Sequence, residues 1–168
     1  MKWVAVAGTW SKTDEQVESD VRKEVSEIIK SGDGIVTGGA LGVDFIATDE
    51  ALKLNPSATQ IKIFLPCTVD RYNKHYRKRA EEMVVSLEQA EGLIKQIETV
   101  KKASPVSVIE NPTNEIIDKD AYFNRITNIV NAADRLVAFQ VNNSAGTQDT
   151  INKAEKRGVE VRKYSYTI

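Results

Sequence analysis

Short apolar runs alternate with amphipathic stretches along the whole 168-residue chain, and this alternation restricts the fold more than any other feature. Trp3 to Ala7 reads as a buried strand. Thr13 to Lys30 carries Val17, Val21, Val25, Ile28 and Ile29 at helical spacing, and Ser31-Gly32-Asp33-Gly34 stops that helix. Ile35 to Thr37 predicts a second strand, Val43 to Leu54 a helix, and Gln60 to Leu65 a third strand closed by Pro66. Arg71 to Lys102 reads as helical with a break near Val84 to Ser86, and Pro105 to Ile109 as a short strand or an extended link. Asp120 to Asn131 predicts a helix with Phe123, Ile126, Ile129 and Val130 on one face. A strand over Asp134 to Gln140, a helix over Ala145 to Lys156 ending at Gly158, and a strand over Val159 to Tyr164 complete the chain. Strands alternating with helices predict an α/β fold of three layers, with a mostly parallel sheet and helices on both faces. One domain over residues 1–168 is expected.

In such sheets ligands bind outside the carboxyl ends of the strands. That rule selects four segments: Gly8 to Ser11, Gly38 to Asp44, Pro66 to Tyr72, and Gln140 to Thr147. The second is the densest in glycine, Thr37-Gly38-Gly39-Ala40-Leu41-Gly42-Val43-Asp44. Glycine lets backbone amides approach an anion, and the next helix adds partial positive charge. The spacing fits neither the P-loop nor the dinucleotide fingerprint. Two readings stand: a phosphate cradle, or a tight turn whose glycines serve packing. Asp44 is either a charge at a helix N-terminus or an acceptor for a ligand hydroxyl.

In Gly8-Thr9-Trp10-Ser11, two hydroxyls flank a tryptophan able to stack on a base, unless the segment is an ordinary loop capping the next helix. Ser144, Gly146 and Thr147 offer a second small-residue anion site or a plain helix cap. Arg71, Lys74, Arg77, Lys78 and Arg79, with Tyr72 and Tyr76, form the one stretch resembling a nucleic-acid patch, although Glu81 and Glu82 follow at once. Met83, Leu87, Ala90, Ile94 and Ile97 repeat at 4-3-4-3 spacing. This is the core-facing stripe of one helix or the seam of a homodimer.

Composition removes several classes of function. Lys and Arg number 23 against 24 Asp and Glu, a net charge of −1, so no global field favours a polyanion. The single cysteine, Cys67, excludes an internal disulfide and a cysteine-based zinc cluster, and the single histidine, His75, argues against a metal site or a serine triad. No cofactor or metal is expected. No apolar run approaches the length of a membrane span, and the N-terminal run is too short for a signal peptide, so a cytoplasmic protein is expected.

Val36-Thr37-Gly38-Gly39-Ala40-Leu41-Gly42-Val43-Asp44, followed by Ala47, resembles the "SGGARGID…A" signature of DNA-processing protein A (DprA/Smf). Asp70-Arg71-Tyr72 falls where that family has an aromatic loop. Phe123-Asn124-Arg125-Ile126 through Ala138 resembles its "F..RNRIIAGLSDAVVV" stretch, and Ser144-Ala145-Gly146-Thr147 its "SGS" helix start. The resemblance covers nearly the whole chain. It implies a Rossmann-like domain of the SLOG superfamily, which also holds the LOG phosphoribohydrolases and nucleotide-ligand sensors.

The resemblance implies a nucleotide or nucleotide-derived ligand, bound by a sensor, carrier or sequestering protein. Its implied site comprises Gly8, Thr9, Trp10, Gly38, Gly39, Ala40, Gly42, Asp44, Tyr72, Asn124, Arg125, Ser144, Gly146 and Thr147. Two alternatives are a nucleotide N-glycosidase and a single-stranded DNA binder acting through residues 71–79. LOG enzymes carry "PGGxGTxxE", and here Thr150 stands where their catalytic Glu falls. Asp149 is one position early, about 100° away around a helix. Asp44 and Asp149 are the catalytic candidates, and the departure leans against an enzyme.

Overall fold

The computed structural model describes all of residues 1–168. β1 (Trp3–Gly8), β2 (Gly34–Thr37), β3 (Ile61–Phe64), β4 (Val108–Ile109), β5 (Arg135–Val141) and β6 (Glu160–Tyr166) form one sheet ordered β4-β3-β2-β1-β5-β6. Every pairing is parallel. The helices are α1 (Glu15–Lys30), α2 (Val43–Leu54), α3 (Val69–Glu81), α4 (Leu87–Ala103), α5 (Lys119–Ala132) and α6 (Ala145–Lys156).

Strand alternation assigns the layers. Val4 and Val6 of β1 and Val137, Phe139 and Val141 of β5 join a core that includes Val17, Val21 and Val25 of α1, Val43 and Ala47 of α2 and Leu93 and Ile97 of α4. Ala5, Leu136 and Ala138 point the other way, to Ile129 and Val130 of α5 and Ile151 and Ala154 of α6. Helices therefore cover both faces, as the sequence predicts. Fully burying a Phe139 or an Ile63 contributes about 1.5–3 kcal/mol of transfer free energy each.

Boundaries follow local chemistry. Asp14 caps α1 by accepting from the Val17 amide, and Asp118 caps α5 through Ala121. The break in the long helical stretch lies between Glu81 and Leu87, where Met83 turns to φ 59° and Ser86 with Gln89 builds a reciprocal capping box for α4. β6 is longer than its apolar pattern suggests, because β5 pairs with it from Arg135 to Val141. From Ala90 onward the 4-3-4-3 stripe is consumed by the chain's own core, while Met83 and Leu87 stay exposed, so the stripe forms no continuous seam. No helix is long and apolar enough to cross a membrane.

The chain steps from β1 outward to β4 on one side, then returns to place β5 on the other side of β1. The loop after β1 leads to α1 on one face, and the loop after β5 leads to α6 on the opposite face. A crevice opens between them, as at any such switch point.

Gly42, at the head of α2, packs against the backbone of the loop after β1 without itself bordering the cleft. Its φ is 69° and ψ −127°, and a Cβ there would fall 2.2 Å from the Thr9 carbonyl oxygen. Gly42→Ala is expected to cost at least about 3 kcal/mol in urea unfolding, combining strain with a backbone clash. Gly158→Ala, at φ 78° but with nothing within 4 Å, carries conformational strain alone and is expected to cost about 1–2 kcal/mol.

Candidate functional site

An inner cleft of about 130 Å³ lies at the crevice, between the Gly8–Trp10 loop, the turn after β2, the first turns of α6 and one side of α5. It opens into an outer depression of about 260 Å³ walled by Trp10, Tyr76, Arg79, Val85 and Tyr122. Ala40, Arg125, Ile126 and Gly146 border both spaces.

The turn after β2 differs from the free anion cradle that its glycines suggest. Asp44, in the first turn of α2, folds its carboxylate back so that Oδ2 accepts from the Gly38 amide at 3.0 Å and the Ala40 amide at 3.2 Å. The chain's own carboxylate thus fills the place that the phosphate-cradle reading gives to a ligand. Gly39 faces inward: at φ 65°, its Cβ would fall 2.8 Å from Ile63 Cγ2 and 2.9 Å from Leu65 Cδ2. It is a packing glycine, and enlarging it reports on folding rather than on the cleft. Gly38 keeps a narrow gap, where an added Cβ would lie 3.1 Å from both Arg125 Nε and Asp44 Oδ2. Of the two readings of this loop, packing accounts for Gly39 and Gly42.

Arg125 reaches the same turn from α5. Its Nη1 donates to the Gly38 carbonyl at 2.8 Å and meets the Tyr72 hydroxyl at 3.4 Å. The guanidinium lies over the Tyr122 ring, 4.9 Å from its centroid. Nε is sealed from solvent without an acceptor. Nη2 has no protein acceptor and is not sealed, which leaves it open to the cleft. Asn124, one residue earlier, is exposed and borders a separate depression beside Thr113–Ala121, so it does not join the site. Tyr72 does not line the cleft either. It is 1% exposed and donates from its hydroxyl to the Gly39 carbonyl at 2.9 Å.

At the third wall, Asn142 and Asn143 adopt φ 50° and 54°, a left-handed pair that asparagine tolerates, and swing the chain from β5 into α6. Gln140 pins that turn through its side-chain amide to the Ser144 carbonyl at 3.1 Å. Ser144 precedes α6 without capping it, so the first-turn amides near Gly146 and Thr147, residues that border the cleft, are unpaired by any side chain. Thr150 also borders the cleft and donates to the Gly146 carbonyl at 3.0 Å, whereas Asp149 is exposed and outside it. Of the two catalytic candidates, only Asp44 lies in the cleft. No grouping of His, Cys, Asp or Glu side chains in the fold could hold a metal ion.

The basic run on α3 is divided. Arg71 donates to the Pro112 and Asn114 carbonyls, Arg77 pairs with Glu91 at 3.1 Å, and Lys78 approaches Glu82 at 3.9 Å. Lys74 is exposed outside the cleft, and Arg79 alone turns to it, 5.8 Å from the Trp10 ring centroid. Tyr76, read from the sequence only as part of a nucleic-acid patch, is a wall residue, and Tyr122 is one that the sequence reading did not select. The signal for each was helical spacing: Tyr76 lies one turn beyond Tyr72, and Tyr122 one turn before Arg125. Ile126, read as core, lines the cleft. Phe123 is 51% exposed beneath the Lys153 ammonium.

No protein-family model matches the sequence, and no curated protein is significantly similar to it. Solved structures do match. DNA processing protein A from Helicobacter pylori, solved in a study of its single-stranded DNA binding mode, superposes with a TM-score of 0.70 at 20% identity, over 96% of this chain and 64% of that one. TM1055, a structural-genomics target, superposes at 0.55 with 16% identity, over 96% of this chain and 72% of that one. DNA processing protein A from Streptococcus pneumoniae gives 0.52 at 15% identity, over 96% of this chain and 58% of that one. This chain therefore spans less than two thirds of either DNA processing protein A chain. Its fold is the DprA-like, three-layer Rossmann-like fold that the motifs lead one to expect.

Burial pushes the Asp44 carboxyl up to about 6, against the opposing pull of Arg125 and the two amides. An unfolded aspartate titrates near about 3.9, so the folded chain holds this proton more tightly. Stability from this group is full below about pH 4 and is lost as pH rises toward about 6. A carboxyl-carbon NMR titration is expected to show the Asp44 midpoint near 6. A midpoint near that of an exposed aspartate would contradict the burial described.

Proposed function

We propose that the chain binds a phosphorylated nucleoside in this cleft, as a sensor, carrier or sequestering protein. The observation that carries the reading is the meeting of two kinds of surface in one continuous space. The first turn of α6 and the open Nη2 of Arg125 supply donors for a phosphate. Trp10, Tyr76 and Tyr122 supply an apolar wall for a base next to it. The Gly8 and Thr9 backbone and the Ser144–Thr147 turn would border the phosphate and sugar. The Gly38 and Ala40 amides are not counted among the donors, since Asp44 already holds them.

Single-stranded DNA is the second reading. It is favoured by the likeness to a DNA processing protein A studied for that binding, and by Arg79 beside Trp10 at the outer rim. The engagement of Arg71 and Arg77 within the chain weighs against an extended backbone track. N-glycosidic cleavage is the third reading and the least supported. A hydroxyl, not a carboxylate, stands at position 150 in the cleft, and loss of a catalytic carboxylate commonly removes about 10²–10⁴ of rate.

Calorimetry with AMP and with a short oligothymidylate tests the readings together. AMP is expected to bind, and Arg125→Ala to weaken it by about tenfold or more, the loss of a charge-assisted hydrogen bond. Binding of the oligonucleotide alone would install the DNA reading instead. AMP is also expected to be recovered intact after long incubation. Release of free base at about one per second would make the protein an enzyme.

A further inference from the structure

Asp44 is the only acidic residue bordering either the inner cleft or the outer depression. Its two oxygens are not equivalent. Oδ2 is committed to the Gly38 and Ala40 amides. Oδ1 has no protein hydrogen bond, and it is not among the buried polar atoms sealed from solvent. The residue as a whole is only 9% exposed, so this small opening is onto the cleft that it lines. An ionised carboxylate oxygen accepts hydrogen bonds and donates none. A ligand group that reaches Oδ1 must therefore carry a hydroxyl or amino hydrogen.

The inner cleft thus offers both an acceptor and donors. The β2 turn presents an acceptor beside the Arg125 guanidinium, whose Nη2 is open to the space, and the first turn of α6 borders the same cleft with donors. A phosphate placed against Asp44 would meet a fixed carboxylate and two amides already donating to it, so it is directed to the Arg125 Nη2 and the α6 turn. In a nucleoside 5′-phosphate the sugar hydroxyls lie on the far side of the ring from the phosphate. With the phosphate at α6 and the base against the aromatic wall, those hydroxyls are the donors left to satisfy Oδ1.

We infer that Asp44 is a specificity-determining residue that accepts from the ribose hydroxyl pair, so that the cleft selects nucleotides by their sugar. The inference rests on the nucleotide reading of the same site. It gives the β2 turn a role distinct from phosphate binding: the turn and its carboxylate together form an acceptor for the sugar. Truncating a hydroxyl would leave Oδ1 desolvated and unpaired, the situation in which a hydrogen-bonding site discriminates strongly.

The test is calorimetry of the intact chain with AMP and with 2′,3′-dideoxy-AMP, which share base and phosphate. AMP is expected to bind at least about tenfold more tightly. Equal affinities would overturn the inference and leave the nucleotide reading standing, whereas no binding of either at millimolar concentration would overturn both. Asp44→Asn supplies the second arm. Its amide oxygen can still accept from Gly38 and Ala40, which turns an NH₂ donor toward the cleft in place of Oδ1. The AMP-to-dideoxy ratio is expected to fall at least about threefold in this variant, as a charged acceptor is lost. An unchanged ratio in a folded Asp44→Asn protein would overturn the role of Asp44, and if that variant does not fold, the wild-type comparison decides alone.

Discussion

A carboxylate at the start of α2, turned back onto the amides of the preceding turn, organises the carboxyl edge of the sheet and the cleft there. The two hydrogen bonds from Gly38 and Ala40 to Asp44 close the β2–α2 turn on itself. With the turn closed, the Gly38 carbonyl is presented outward, where Arg125 takes it at 2.8 Å. Gly42 presses against the Thr9 carbonyl, and the Val43 amide donates to that same oxygen at 3.0 Å. Three segments far apart in the chain are thus fixed around one buried charge. That charge stays in a water-poor place because two amides and a nearby guanidinium compensate its desolvation, though incompletely, as its raised protonation range indicates.

The parallel sheet explains why the site sits where it does. Crossovers on opposite faces leave a crevice between β1 and β5, and all loops bordering it come from carboxyl ends of strands. α5 then lies across that edge, contributing Arg125, Ile126 and Ile129 to the inner cleft and Tyr122 to the outer wall. Glycine is used here mainly for close backbone approach between these loops. The donors left without a protein partner are instead at the uncapped start of α6 and on one arginine, and these carry the proposed anion site.

Fold and function separate at this point. Likeness to DNA processing protein A at 20% identity and below establishes a shared architecture. The reading of the cleft as a nucleotide site depends on this chain's own residues. The division of the basic run on α3 illustrates the difference: a sequence window counts five cations, whereas the folded chain spends two of them on carbonyls and a carboxylate and turns one to the cleft rim.

Much of this architecture was legible in the sequence, because the relevant signals are local. Periodicity of apolar residues marks helices and strands within a few turns of chain, and glycine-rich junctions mark the carboxyl edge. From these the layer arrangement, the parallel sheet and the loops that border the crevice all follow. The phase of each helix about its axis is not local. Whether Asn124 or Arg125 faces the cleft, and whether Tyr72 or Tyr76 walls it, depends on how α5 and α3 pack on the sheet. The Arg125–Gly38 hydrogen bond joins residues 87 apart, and no window of sequence contains both. Tertiary structure likewise decided that the loop amides serve Asp44 and that Gly39 faces Ile63 and Leu65. A turn rich in glycine can offer its amides to a ligand or to its own helix, and only the three-dimensional position of the carboxylate determines which.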